Sequence, residues 1–288
     1  MKEIIRRIEG AMKASLKTAR IRFRSFLETR RFDPQGDILL LQMGKVGSSS
    51  VYKAIRKSRF SGQVFQLHMI NPDSIDSAMR KVKSSKSPRI DSHLIYSSRL
   101  SPVVLSTATP LKIITMSREP ISRALSFCFQ DFKRQFGFAL EGEDQWEAYN
   151  QVAKTKLSIG SPHADPGLWF ESELGKTLGI NVFNQPIDVS EGAVRLDFPR
   201  ASILLIRMED LANAAVVDSI SEFIGCNVSL VNSKSNVGAE KSGGSAYFDW
   251  QSQFTMDRDE IKRIIGTEYF RTFYPDYGER TLARFSIL

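Results

Sequence analysis

The sequence predicts an α/β protein with a mostly parallel central sheet covered by helices. Short, continuously apolar runs such as Ile38–Met43, Lys112–Ser117 and Ser202–Arg207 have the character of strands buried on both faces. Amphipathic stretches follow them at helical spacing, and the two kinds of segment alternate from Pro34 onward without internal repeat.

Taken in order, residues 1–31 set Ile5, Ile8, Met12, Leu16, Phe23 and Leu27 at roughly helical spacing among basic residues. After Pro34 and Gly36, Ile38–Met43 reads as a strand, and a helix from about Ser49 puts Val51 and Ile55 on one face. Gln63–Met69 is a second strand, and Ile75, Met79 and Val82 share a helical face. Ile90–Tyr96 reads as a third strand and Lys112–Ser117 as a fourth, followed by a helix carrying Ile121, Leu125, Phe129 and Phe132. Ser202–Arg207 is the last strand, before a helix through Val216, Ile220 and Ile224. The mixed stretch over about 133–200, with Trp146, Trp169 and a Ser/Pro/Gly/His-rich loop, reads as a helical insertion. The expected organisation is a basic amphipathic segment, 1–33, ahead of a single α/β domain, 34–288.

Composition narrows the classes. A chain of 288 residues with 42% hydrophobic and 25% charged side chains can bury one large core, which excludes disorder. Two distant cysteines, Cys128 and Cys226, support neither a disulfide framework nor a structural zinc site, so no metal is expected. The longest apolar runs fall far short of the ~20 residues that cross a bilayer. Arg6, Arg7, Lys13 and Lys17 interrupt any apolar core of a signal peptide, so the expected location is cytoplasmic, with peripheral attachment to the inner membrane face as an extension.

Of the net charge of +8, residues 1–31 hold +7, from ten Lys/Arg against three Glu, which leaves the rest near neutral. A protein gripping nucleic acid carries basic charge over its folded domain, so that partner is not expected. The N-terminal segment fits an anionic membrane surface, or equally a basic helix packed on its own domain or on a partner.

The chemistry concentrates at two strand-to-helix junctions. The first is Gln42-Met43-Gly44-Lys45-Val46-Gly47-Ser48-Ser49-Ser50. A glycine-bearing turn there exposes backbone N–H groups at a helix N-terminus, where the dipole favours an anion, and Lys45 and the serines add charge and donors. The second is Arg118-Glu119-Pro120-Ile121-Ser122-Arg123-Ala124-Leu125-Ser126, where Arg118 at a strand end can take a phosphate in two-pronged fashion and Ser126 lies two turns on. Taken by itself, Glu-Pro at a helix start also serves as a cap.

A nucleoside-triphosphate loop reads GxxxxGK[ST], with the lysine after the last glycine. Here Lys45 precedes Gly47, and the segment resembles the K-x-G-[ST]-[ST]-[ST] loop of sulfotransferases that use 3'-phosphoadenosine-5'-phosphosulfate (PAPS). The resemblance implies a P-loop-like three-layer fold. It implies that Gly44, Lys45, Val46, Gly47, Ser48, Ser49 and Ser50 hold the 5' side of the donor, while Arg118 and Ser126 bind its 3'-phosphate. Members of that family usually carry proline where this chain has Gly44. Lys241-Ser242-Gly243-Gly244 is a fainter echo of the loop that closes over the 3'-phosphate, which brings in Lys241; a plain surface loop is the simpler reading. The wider resemblance is to carbohydrate sulfotransferases and to bacterial capsular polysaccharide synthesis proteins. It runs from about Ile38 to Tyr277 and includes Trp169–Leu174, Gly179–Phe183, Ile206–Leu211 and Tyr269–Tyr274. It implies a glycan or glycolipid acceptor, with the insertion shaping its site, and 3'-phosphoadenosine-5'-phosphate as product.

Sulfuryl transfer needs a base for the acceptor hydroxyl, and imidazole suits it. Pro88–Leu94 resembles the segment bearing the catalytic histidine in many sulfotransferases, which makes His93 the first candidate. His68, at the end of the second strand, is the second, and His163 reads as ordinary. Lys45 is the remaining catalytic candidate. Two rivals stand beside this reading: a P-loop kinase or NTPase, for which the GK[ST] order is missing, and a non-catalytic nucleotide-binding scaffold recruited to a membrane.

Overall fold

A computed structural model of the protein describes residues 16, 18–84, 91–136, 145–230 and 244–287, with the backbone alone for 131–136 and 244–246. Its centre is a five-stranded sheet of β1 (Ile38–Leu41), β2 (Val64–Leu67), β3 (Leu111–Ser117), β4 (Ala193–Phe198) and β5 (Ala201–Arg207). The strand order is β2-β1-β3-β5-β4. β1 pairs parallel to both β2 and β3, and β3 pairs parallel to β5. β4 alone runs antiparallel, returning into β5 through the two-residue turn at Pro199 and Arg200.

All four side chains of β1 are fully buried. Because successive side chains point to opposite faces, helices must cover the sheet on both sides, which makes the three-layer α/β architecture the sequence predicts. The expected strands at 38–43, 63–69, 112–117 and 202–207 all form, trimmed or extended by a residue or two. One expectation fails: Ile90–Tyr96 is not a strand. Residues 88–90 lie outside the described residues, and Ser92–Ser106 forms a helix. Its buried positions Leu94, Ser97, Ser101 and Val104 recur at three- and four-residue steps. Seven residues were too short a window to separate that period from a strand.

In chain order the helices are α1 (18–29), α2 (Ser48–Lys57), α3 (Pro72–Ser84), α4 (Ser92–Ser106), α5 (Pro120–Phe136), α6 (Trp146–Lys156), α7 (Gly167–Phe170) and α8 (Lys176–Leu178). They continue with α9 (Ala214–Ile224), α10 (Gly244–Gln253), α11 (Arg258–Ile265), α12 (Glu268–Phe273) and α13 (Gly278–Phe285). A π-helical turn, Glu171–Gly175, joins α7 to α8. The stretch that reads as an insertion thus supplies helices and also the edge strand β4.

Two consequences bear on function. The chain runs from β1 out to β2 and then crosses back past β1 to β3, so the direction of winding reverses between β1 and β3. Open α/β sheets bind ligands at such a point, beyond the carboxyl ends of the strands. α1 is also part of the fold: its Ser25 and Thr29 are buried, Glu28 accepts from Tyr96 Oη of α4, and Arg99 lies over the Phe26 ring at 5.4 Å.

Candidate functional site

The carboxyl ends of β1, β2, β3 and β5 converge, and each delivers a polar residue: Gln42, His68, Arg118 and Glu209 respectively. Beyond β1 the chain makes two left-handed excursions, at Lys45 (φ 73) and Gly47 (φ 76). A left-handed lysine is uncommon and costs stability. Alternation of left-handed with ordinary residues turns successive N–H groups toward one concave side, which suits an anion. Gly47 is required twice over. Besides its φ, a Cβ there would lie 3.1 Å from Leu211 Cδ1 and 3.2 Å from Met208 Cγ. Gly44, where the resembled family carries proline, has nothing within 4 Å of a Cβ position.

The loop is tied down from below. Val46 is fully buried and contributes only backbone to any ligand. Ser48 is buried, and its hydroxyl lies 2.8 Å from the Gln42 amide and accepts from Gln66 Nε2 at 2.9 Å, so it braces β1 against β2. Ser49 and Ser50 are partly exposed at the start of α2, with Ser50 N–H turned back to Gly47 O at 3.0 Å. α2 has no acidic residue in its first turn, which leaves the positive end of its dipole uncompensated there.

Arg118 reaches the same loop from β3: its Nη1 donates to Lys45 O at 2.8 Å. The backbone of Arg118 is clamped by buried Tyr269, whose hydroxyl accepts from Arg118 N and donates to Arg118 O, both at 3.0 Å. Next to it, Glu119 caps α5 by accepting from Ile121 N at 2.9 Å and Ser122 N at 2.7 Å. Glu209 accepts from Glu119 N at 2.9 Å and from Tyr274 Oη at 3.0 Å, and burial pushes its carboxyl upward. Ser126 lies two turns beyond Arg118, partly buried. Buried Arg123 donates through Nη2 to Pro162 O at 2.6 Å and thereby fastens the 161–166 loop to α5. Lys241 lies outside the described residues.

The two histidine candidates come together. The His68 and His93 rings stack with centroids 4.3 Å apart. His68 Nδ1 is 3.0 Å from Gln42 O and His93 Nδ1 is 2.9 Å from Gln66 O. A carbonyl only accepts, so each ring carries a proton on Nδ1, which leaves Nε2 as the nitrogen open to acid–base exchange. Burial, then the neighbouring His93 and Lys45, lowers the His68 pKa to about 4, so it stays neutral near pH 7. A cavity of about 190 Å³, bounded among others by Glu28, Tyr52, Gln66 and Tyr96, reaches His93. A second, of about 250 Å³ beside Arg56 and Phe60, shares Glu28, Val64 and Phe65 with it along the β2 edge, away from the loop. His163 stacks on Phe127 at 4.6 Å, apart from this pair.

The supports of this pair were not legible in sequence. Trp169 Nε1 donates to His68 O at 3.0 Å, and buried Glu173 accepts from Ile70 N at 2.7 Å and Asn71 N at 2.8 Å. The π-helical turn therefore fixes the chain leaving β2, on which His68 sits. Trp169, Glu173, Glu209, Tyr269 and Tyr274 all fall in segments that carry the wider resemblance, but only their hydrogen bonds reveal what they do.

Residues 164–275, under half of the chain, match the model of a family described as "Putative capsular polysaccharide synthesis protein". The match points to a glycan-related role. It takes in the supports just described and stops short of the Gly44–Ser50 loop and of Arg118. No curated protein and no solved structure matches the chain. Among the described residues no helix is long and apolar enough to cross a membrane, and no cluster of three or more His, Cys, Asp or Glu could hold a metal ion.

Proposed function

We propose that the protein is a sulfotransferase that moves a sulfuryl group from PAPS to a hydroxyl of a glycan or glycolipid. The observation that carries the reading is the meeting, at the carboxyl ends of the strands, of a left-handed lysine loop, Arg118 and two stacked histidines. A histidine base next to a cationic anion cradle suits transfer of an anionic group to a neutral hydroxyl.

In this reading the N–H groups at the start of α2 and the Lys45 ammonium hold the phosphosulfate end of the donor, and Arg118 with Ser126 holds its 3'-phosphate. His93 Nε2 takes the acceptor proton as the acceptor oxygen bonds to sulfur. The bond from sulfur to the bridging phosphate oxygen breaks, and its electron pair leaves on the 5'-phosphate, where Lys45 meets the growing charge. His68 stacks against His93 and fixes its ring; it is also the alternative base. The lysine-before-glycine order weighs against the kinase or NTPase reading.

The test is incubation of the full chain with radiolabelled PAPS and a panel of cellular glycans and glycolipids. Transfer of label to a saccharide is the expected result. Donor binding without transfer to any acceptor would favour a nucleotide-binding scaffold instead.

A further inference from the structure

α1 buries one face and leaves an apolar ridge on the other. Ser25 and Thr29 point into the domain, with Glu28 on Tyr96 and Phe26 under Arg99 beside them. Leu16, Phe23 and Leu27 are 68%, 66% and 45% exposed. Phe23 and Leu27, four residues apart on α1, fall on one stripe, and at 100° per residue that stripe stands opposite Ser25. A surface helix that has already spent one face on its own domain ordinarily shows polar residues on the other. Here the ridge is apolar, and exposed Arg20 and, just past the helix, Arg30 and Arg31 flank it, while Arg24 is paired with Glu28 at 2.8 Å.

We propose that α1 is a prefolded interfacial anchor that seats the protein on an anionic lipid bilayer. Charge selects this occupant. The ridge asks for an apolar partner and its border asks for an anionic one, and a bilayer bearing acidic headgroups supplies both in one plane. A second copy using the same face would set these arginines against one another. Beyond residue 31 the chain is near neutral, so basic density is concentrated where the ridge is. Because the helix is docked through its opposite face, the bilayer fixes the orientation of the whole domain, and α4, which carries His93, rides directly on the anchor.

The proposal is independent of sulfuryl transfer, and its test uses no donor. The full chain is mixed with vesicles of equimolar phosphatidylglycerol and phosphatidylcholine, or of phosphatidylcholine alone, and sedimented. Binding to the anionic vesicles, weakening with added salt, is expected. Phe23→Ser with Leu27→Ser should cut partitioning at least about tenfold. Each of Arg20→Gln and Arg31→Gln should cut it about fivefold. These side chains are exposed, so circular dichroism and thermal midpoint should not change; point variants are needed because deleting the helix would also remove the partner of Tyr96. Equal binding to neutral vesicles, no binding to either, or binding indifferent to both kinds of variant would overturn the proposal. So would a dimer in sedimentation velocity that Phe23→Ser dissolves.

Discussion

Arg118 Nη1 donates to Lys45 O at 2.8 Å, so the end of β3 holds the turn that follows β1. The contact explains how a lysine is kept left-handed: its carbonyl is fixed by the side chain of Arg118, whose backbone Tyr269 clamps. Backbone strain of this kind persists only where the surroundings determine it.

Arg118→Ala should therefore do more than remove one ligand contact. The protein is expected to bind 3'-phosphoadenosine-5'-phosphate at least tenfold better than AMP, since charge-assisted hydrogen bonds are worth roughly 1.5–3 kcal/mol each. Arg118→Ala should erase that difference and loosen the loop. Thermal shift with each nucleotide reads both effects, and equal stabilisation of the native chain by the two would rule out the assignment of the 3'-phosphate to Arg118.

The two loop glycines should behave oppositely. Gly47→Ala puts a Cβ on a left-handed residue hard against Met208 and Leu211, at a cost of roughly 1–2 kcal/mol from the backbone alone. Gly44→Ala meets nothing and should leave stability within about 0.5 kcal/mol of the native value. Urea unfolding of the two variants checks this. A Gly47→Ala protein as stable as Gly44→Ala would mean the loop relaxes in a way the packing does not suggest.

Glu173 should matter to the site without touching it. Its carboxylate satisfies two backbone N–H groups at the exit of β2, and Glu173→Ala would leave both buried and unpaired, costing about 2–5 kcal/mol. Glu173→Gln keeps an acceptor oxygen and should recover much of that loss. Histidine resonances followed by NMR should shift at His68 in the alanine variant and less in the glutamine one. An alanine variant of native stability would show that solvent replaces the carboxylate.

The two buried histidines should make stability rise with pH between about 4 and 6.5. Burial lowers His68 to about 4, and burial with Arg123 and Lys156 nearby lowers His163 to about 3. The unfolded chain, whose histidines titrate near their ordinary value, then binds more protons in that window, so acid favours unfolding. Each histidine should contribute a slope approaching about 1.4 kcal/mol per pH unit that flattens above pH 7, while Glu209 and Asp37, whose carboxyls burial raises, contribute with the opposite sign. Unfolding midpoints at pH 5 and 7 measure it. His68→Gln should lower the slope relative to the native chain, and equal slopes in the two would show that water reaches the His68 ring.

Sequence made the sheet legible because its strands are buried on both faces and carry continuous apolar runs, as in Ile38–Leu41 and Ile203–Ile206. It also placed the glycine-bearing loop and Arg118 at strand-to-helix junctions, where the structure has them. It misread the start of α4, where Leu94, Ile95 and Tyr96 form an apolar run too short to set a period. It could not show that Ser48 spends its hydroxyl on Gln42 and Gln66, or that Trp169 and Glu173 fix His68 from a hundred residues away, since such pairings leave no local pattern.

The same limit left two histidines as rival bases, and their stacking now makes the rivalry measurable. Lys45→Ala should weaken donor binding and turnover together, because one ammonium serves both the bound phosphosulfate and the leaving phosphate. His93→Ala should cut turnover by about 10²–10⁴-fold with donor affinity nearly unchanged, since it meets only the acceptor proton. His68→Ala should produce a smaller loss, because it removes a wall of the His93 ring and leaves the His93 bond to Gln66 O intact. Donor titration and single-turnover transfer on each variant separate these effects. If His68→Ala is inactive while His93→Ala still transfers, the base is His68 and the ring on α4 is its support. If both variants retain full activity, neither imidazole takes the proton, and the proposed mechanism falls with them.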